Sequence, residues 1–475
     1  LWKVPHKISA VADHPRIKKV RKMDISTAAL SERLILQDEV CSFLKNYYGG
    51  KLERILQKIP LAPLETTLRV NTLKTNRTDL INQLGCYFKQ ESVLHAKLEK
   101  QAKVYFDKQH NDNNTPQHDH DDKTKSFLDF EIVPDNLLSD CIRIPSKGPN
   151  DVQHIYPEIV VDTKCGEAVL RGADIFAPGV LGAVSGIRGG DKVSVVVDID
   201  GKVHRGDTNK FEGNKVFIGN GIARMGRSMF YSEKSGVAIE MTDRVYDVPS
   251  LNGVFPDLFY LQNYPSLLVA HILDPQPTDF VLDMCASPGG KTTHIATLMK
   301  NSGKIIAIDK NDAKVKLITD HCERYGISNV QTFAMDSSKL LKDPKNTDTK
   351  KVVVQFPPST FDRILLDPPC SGLGQRPRLK DSTSLATLKS FAPYQRKLFH
   401  TAFSLLKPGG VLVYSTCTLN PQENEEMVAF ALDTYPSLKL VSQEPFKAGS
   451  DALTWGPSVA SSYRPLTVEE SKLCQ

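Results

Sequence analysis

The sequence predicts an α/β protein in three parts: an α+β N-terminal segment, a small β-barrel, and a parallel, doubly wound sheet towards the C-terminal end. Three observations predict it. From about residue 279 short apolar strands alternate with helical stretches, the rhythm of a parallel sheet with crossover helices. Between 155 and 247, short Val/Ile runs are broken by glycines at close spacing, as in small barrels. Ahead of both, helical periodicity over 25–60 gives way to one strand-like run.

Taken in order, residues 1–22 hold seven of the 60 Lys and Arg and one of the 55 Asp and Glu. The formal net charge of +5 is therefore concentrated there, and the rest of the chain is near balance. Global basicity thus says little about nucleic acid. This stretch lacks the apolar core of a secretory signal, although its basicity also suits an organellar transit peptide. Met23 is read as the start, with 1–22 a non-native or disordered extension. Residues 23–153 form the N-terminal segment. Ile35, Leu36, Val40, Phe43 and Leu44, then Leu52, Ile55, Leu56 and Ile59, mark two helices separated by Gly49-Gly50 and ended by Pro60 and Pro63. Thr67–Asn71 reads as a strand. Residues 107–125 are polar, with three His among acids, and read as a disordered insert rather than a metal site.

The barrel at 155–247 has strand-like runs at Ile159–Val161, Lys192–Val197 and Lys215–Ile218, with turns at Gly166, Gly189-Gly190, Gly201 and Gly213. In the last part, 250–475, strands are expected at Phe280–Asp283, Ile305–Ile308, Val330–Ala334, Phe361–Leu366 and Val411–Ser415. Helices are expected at Thr292–Met299, 311–325, Tyr394–Leu406 (ended by Pro408-Gly409-Gly410) and Glu423–Thr434. No apolar run reaches the ~18 residues of a membrane span. Nine cysteines are spread so that no two lie closer than 24 positions, which excludes C-x-x-C pairs and suits a reducing compartment, the cytoplasm.

Ligands of such sheets bind at the carboxyl ends of the strands. The first strand runs into Asp283-Met284-Cys285-Ala286-Ser287-Pro288-Gly289-Gly290-Lys291-Thr292, a Gly-rich turn opening a helix, where backbone N–H groups approach a ligand closely. It is no P-loop, because Cys285 stands where that motif needs glycine, and the Gly-x-Gly-x-x-Gly fingerprint is absent. Asp309 ends the second strand and suits ribose hydroxyls of an adenosine ligand; Asp336 follows the third, placed for an adenine edge. The fourth strand leads to Asp367-Pro368-Pro369-Cys370-Ser371-Gly372 and the fifth to Ser415-Thr416-Cys417-Thr418. Cys370 and Cys417 thus lie at the ligand rim in polar turns. Cys41, Cys86, Cys141 and Cys322 read as buried small hydrophobes.

The combination D-x-C-A-x-P-G-G-K-T-T, D-P-P-C-S-G and Y-S-T-C-T resembles the NOL/NOP/Sun-domain (NSUN-type) RNA cytosine-5 methyltransferases over about residues 250–440. Thr67–Leu73 resembles that family's N-terminal RNA-recognition segment, and Cys165–Gly179 looks like part of a PUA domain, an RNA-binding barrel. A PUA domain so placed is similar to the sixth NSUN subfamily, which methylates tRNA.

The resemblance implies a Rossmann-like S-adenosylmethionine-dependent methyltransferase. Cys417 is the implied nucleophile toward cytosine C6, since a thiol is partly thiolate near neutral pH. Asp367 would hydrogen-bond the N3/N4 edge, and Cys370 would assist loss of the C5 proton and breakdown of the adduct. S-adenosylmethionine would sit over Cys285, Ala286, Ser287, Pro288, Gly289, Gly290 and Lys291, with Asp309 on ribose, Asp336 on adenine and Asp367 alongside. Lys291 would anchor the methionine carboxylate, orient Asp367, or serve only as a cation at the helix start. Arg171, Phe176, Lys202 and Arg205 are candidate RNA contacts, the last two on a Gly-flanked hairpin with His204. The implied partner is tRNA, at its acceptor stem and CCA end, with messenger RNA a further candidate; a monomer and no metal are expected. The alternative is a catalytically inert PUA-containing RNA-binding protein. Pro368 and Ser287 replace the family's usual alanines, 342–360 reads as an inserted polar loop, and no terminal G-F-F-type strand follows 440, so the domain reads as truncated.

Overall fold

The computed structural model describes residues 33–91, 130–342 and 354–441. The expected insert at 107–125, the extension at 1–22 and the region of the missing terminal strand lie outside the described residues.

Five parallel strands, Phe280–Asp283, Lys304–Asp309, Val330–Ala334, Phe361–Leu366 and Leu406–Tyr414, form one sheet in the order third, second, first, fourth, fifth. The strand order reverses between the first and fourth strands, and a crevice opens there at their carboxyl ends. Continuous apolar runs suit a sheet covered on both faces. Leu282, Ile306 and Ile364 pack to one side with Leu398, Ala402, Leu405 and Met427. Their neighbours Val281, Ile305 and Leu365 face the other, against Val269, Leu273, Ile295 and Ala296. Helix Asp312–Tyr325 starts where the Asn311 side chain accepts from Ala313 N and Lys314 N, and stops at left-handed Gly326. Helix Leu385–Leu405 runs directly into the fifth strand, which begins at Leu406 rather than after Pro408-Gly409-Gly410. Leu406 pairs with Phe361 and Val411 with Arg363, so the Pro-Gly-Gly stretch is an outward irregularity within the strand.

The N-terminal segment is not a separate unit. Its strand Glu65–Val70 lies between Cys141–Pro145 and Phe259–Leu261, the last contributed by the later chain. Arg69, 2% exposed, reaches from this sheet to the opening of helix Gly290–Leu298. It donates to Gln262 Oε1 (2.9 Å), the Gly290 carbonyl and Thr293 Oγ1 (2.8 Å), under the rings of Tyr260 and Tyr325. Thr67, Arg69 and Asn71 are all buried, and Arg69 braces the Gly-rich turn. Behind the same helix Asp140 bridges His271 Nε2 (2.9 Å) and His294 Nε2 (2.7 Å), a cluster of metal-binding residue types whose ligand atoms already hydrogen-bond one another. Burial holds His294 neutral, with its pKa lowered to about 4.

Strands Ile175–Phe176, Val237–Arg244, Lys215–Ala223, Lys192–Asp198, Glu158–Val161 and Val180–Ala183 make the six-stranded sheet of the barrel region, in that order. It is antiparallel except where Glu158–Val161 runs parallel to Lys192–Asp198. Its core is Val, Ile and Ala from alternate strand positions, joined by Phe230.

Candidate active site

The crevice between the first and fourth strands is where the chemistry-bearing residues meet. The turn after Phe280–Asp283 reverses at Gly289, whose φ of +104° only glycine adopts readily. No side chain caps helix Gly290–Leu298, so the N–H groups of its first turn face the crevice without intrahelical partners. Asp309, at the end of the second strand, accepts from Ser287 N at 3.3 Å, tying the turn to the strand end. Asp336 accepts from Ser338 N at 3.0 Å and caps the short turn after the third strand. A Gly-rich helix opening with acids at the next two strand ends has the donor and acceptor set of an adenosine ligand with a charged tail. Cys285 is half-buried and burial raises its pKa, so it stays a thiol. Asp283 is fully buried, one oxygen taking the Thr292 hydroxyl at 2.7 Å and the other without a partner. Burial, reinforced by the nearby Asp367, raises its pKa to about 7.

Asp367 follows the fourth strand, and its two oxygens are separately engaged. Lys291 Nζ reaches Oδ2 at 2.7 Å, and Ser415 Oγ donates to Oδ1 at 2.7 Å. Of the three expected roles for Lys291, this contact is the one that orients Asp367. Burial disfavours the Lys291 charge, but Asp367 more than offsets it, and its pKa is raised.

Cys370 and Cys417 come together with their sulfurs 3.2 Å apart. Gln375 Nε2 lies 3.3 Å from Cys417 Sγ, and Gly374 N donates to the Cys417 carbonyl at 3.0 Å. A Cβ on Gly374 would sit only 3.0 Å from that carbonyl oxygen, which explains glycine there. The two thiols are unequal. The hydrogen bond from Cys370 lowers the Cys417 pKa to about 7 against the cost of burial. The same bond, with burial, pushes Cys370 far up. Cys417 is thus the more readily ionised sulfur of the pair, and Cys370 the one held as a thiol. Of the cysteines expected to be buried, Cys141 and Cys322 are, whereas Cys86 is exposed and Cys41 intermediate.

A second layer escaped sequence reading. Glu423, 0% exposed, accepts from Ser371 N (3.0 Å), Ser371 Oγ (2.6 Å), Gln395 Nε2 (2.9 Å) and Asn420 Nδ2 (3.0 Å). An acid at a helix start reads as an exposed, dipole-favoured group. The available signal was Gln395, a polar residue in the apolar stripe Leu388, Ala392, Phe399, Ala402.

The barrel candidates divide. Phe176 is 52% exposed and able to stack on a base. Arg171 is exposed and lines a cleft of about 600 Å³ with Lys164, Glu167, Arg378 and Gln375, the residue that touches Cys417. Lys202 is exposed and paired with Asp200 at 3.0 Å. Arg205 is exposed, with its guanidinium engaged by backbone carbonyls. Its Nη1 donates to the carbonyls of Ala177, Pro178 and Val180 and its Nη2 to Phe230 at 2.7 Å, over the Tyr231 ring. Those four carbonyls fix the guanidinium against the barrel.

The chain is similar to several known proteins. The family model "16S rRNA methyltransferase RsmB/F" matches residues 270–465. The chain is 38% identical over 450 residues to the tRNA (cytosine(72)-C(5))-methyltransferase NSUN6 of Mus musculus, covering 94% of this chain and 85% of that one. It is 40% identical over 420 residues to the Homo sapiens protein of the same name, covering 88% and 82%. The crystal structure of NSun6 from Pyrococcus horikoshii with SFG matches with a TM-score of 0.67 at 31% identity, over 87% of this chain and 91% of that one.

Proposed function

The chain belongs to the NSUN-type RNA cytosine-5 methyltransferases, which use S-adenosylmethionine, and on that premise we propose that it methylates cytosine 72 in the acceptor stem of tRNA. The observation that carries the reading is the unequal thiol pair beside the Lys291–Asp367–Ser415 array. The substrate position follows the names of the mouse, human and Pyrococcus horikoshii relatives.

The Gly-rich turn, Asp309 and Asp336 would hold S-adenosylmethionine, which would supply the methyl group. Cytosine C5 is a weak nucleophile. The Cys417 thiolate adds to C6, its electron pair forming the S–C6 bond and pushing density through the ring, so that C5 becomes nucleophilic enough to accept a methyl group from a sulfonium donor, which would leave as the neutral thioether. Asp367 receives the N3/N4 edge, its position fixed from two sides by Lys291 and Ser415. Once Cys417 is a thioether, the charge that kept Cys370 a thiol is gone. Cys370 then loses its proton to solvent and takes the C5 proton; the C5=C6 bond re-forms from that C–H pair and Cys417 leaves as thiolate.

The barrel at 155–247 is read as a PUA-like RNA-binding domain, with Arg171, Lys202 and Phe176 on the path of the CCA end. The cleft shared by Arg171 and Gln375 supports that path, because Gln375 also touches the nucleophile. The domain limits 23–153, 155–247 and 250–475 are kept, with strand Phe259–Leu261 serving the N-terminal sheet. A cytoplasmic monomer, with messenger RNA a further substrate, completes the proposal; among the described residues no helix is long and apolar enough to cross a membrane. The test is methyl transfer from labelled S-adenosylmethionine to tRNA, with bisulfite sequencing of the product. The proposal requires a new 5-methylcytosine at position 72; methylation confined to other positions or to ribosomal RNA contradicts it.

A further inference from the structure

The carboxylate of Glu423 is completely buried, and among the described residues no cation pairs with it. Four neutral donors from three places hold it instead. A carboxylate at such depth is tolerated only when its lone pairs are filled. Two of those donors belong to Ser371, the residue after Cys370. A third belongs to Gln395, whose Nε2 also donates to the carbonyl of Pro369, the residue before Cys370, at 2.9 Å. Both flanks of Cys370 therefore terminate on Glu423, directly or through Gln395. Tyr414 locks the arrangement, its hydroxyl lying 2.7 Å from the Glu423 carbonyl and 3.0 Å from Gln395 Oε1.

Cys417 is held differently. Its carbonyl accepts from Gly374 N. The neighbouring Thr416 hydroxyl donates to Asn424 Oδ1 at 2.5 Å, and Asn424 Nδ2 donates to the Thr418 carbonyl at 3.0 Å. One link joins the two anchorages: Ser371 Oγ lies 2.6 Å from Thr418 Oγ1. Loss of Glu423 thus loosens the Cys370 loop while leaving most anchors of the Cys417 loop in place.

We infer that Glu423 is a positioning residue that sets the reach of Cys370, and thereby governs release of the Cys417–RNA adduct rather than its formation. The inference rests on the roles given to the two cysteines above. Glu423→Gln keeps the shape but presents one acceptor oxygen and two N–H donors to four donors, so at least one flank of Cys370 comes free. A displacement of about 1 Å at a reacting group costs on the order of 10²-fold.

The experiment mixes full-length enzyme, tRNA and S-adenosylmethionine, quenches in detergent, and measures covalent protein–RNA adduct and methylated product with time. S-adenosylmethionine affinity is measured alongside. Glu423→Gln should accumulate adduct as Cys370→Ala does, with turnover down about 10²-fold and cofactor affinity unchanged. Cys417→Ala should form none. If Cys370→Ala accumulates adduct and Glu423→Gln releases it at the wild-type rate, or forms none while still binding cofactor, the inference is overturned. If Cys370→Ala itself accumulates none, the cysteine roles fall and the inference with them. Ser371→Ala removes only the hydroxyl and carries the test should Glu423→Gln not fold. It should show the same partition in weaker form, and a parallel loss of formation and release would overturn the inference.

Discussion

Replacing Cys370 by alanine removes the donor that most favours the Cys417 thiolate, and the size of the effect follows from the pair. With Cys370 present, the Cys417 pKa falls from 9.0 to about 7. At pH 7 about half of Cys417 is then thiolate; at the ordinary value about one molecule in a hundred is. The thiolate fraction therefore drops by at most roughly 50-fold in Cys370→Ala. A more basic thiolate is also more nucleophilic, by roughly eightfold over that interval. The net slowing at pH 7 is up to roughly sixfold, and above pH 9 the variant should react faster than wild type. Gln375 and Lys291 remain beside the sulfur, so the new midpoint lies between the two values. The assay is iodoacetamide labelling of the free enzyme across pH 5–10, read as the Cys417 peptide by mass spectrometry. A Cys417 midpoint that stays or falls in Cys370→Ala would refute the reasoning, because Cys370 would then not be the proton donor.

Three further predictions follow from the same contacts. Lys291→Met should lower methyl transfer by about 10²-fold while leaving S-adenosylmethionine affinity by calorimetry nearly unchanged, since Lys291 holds Asp367; a comparable loss of affinity would assign it to the methionine carboxylate. Arg69→Met strands buried acceptors at Gln262, Gly290 and Thr293 and should cost about 3 kcal/mol in urea unfolding, against under about 0.5 for the exposed Lys316→Met. Arg171→Ala should weaken tRNA binding and reduce its salt slope by about one without altering the melting temperature, whereas Arg205→Ala should lower the melting temperature by about 4 °C.

The parallel sheet was legible because short apolar strands alternate with helices at regular spacing; Phe280–Asp283, Val330–Ala334 and Phe361–Leu366 match the expected bounds. The chemistry was legible because strand ends in such a sheet converge, so Asp309, Asp367, Cys370 and Cys417 needed only their positions in sequence. Three features depended on distant partners and were not. Arg69 looks like an exposed cation until acceptors at Gln262, Gly290 and Thr293 are brought to it from other elements. Strand Phe259–Leu261 carries no mark that it pairs with Glu65–Val70 rather than the parallel sheet. Glu423 is distinguished only by a burial that helix Leu385–Leu405 and two loops create together.

The central claim is that Cys417, supported by Cys370, is the carbon-bonding nucleophile on a tRNA cytosine. Its most direct test uses a tRNA transcript with 5-fluorocytidine in place of cytidine, where no C5 proton can leave and the adduct cannot resolve. After incubation with S-adenosylmethionine, nuclease and protease digestion should leave a single modified peptide, with the methylated fluoropyrimidine on Cys417. Modification on Cys370 instead, or methylated RNA with no covalent peptide, would contradict the account.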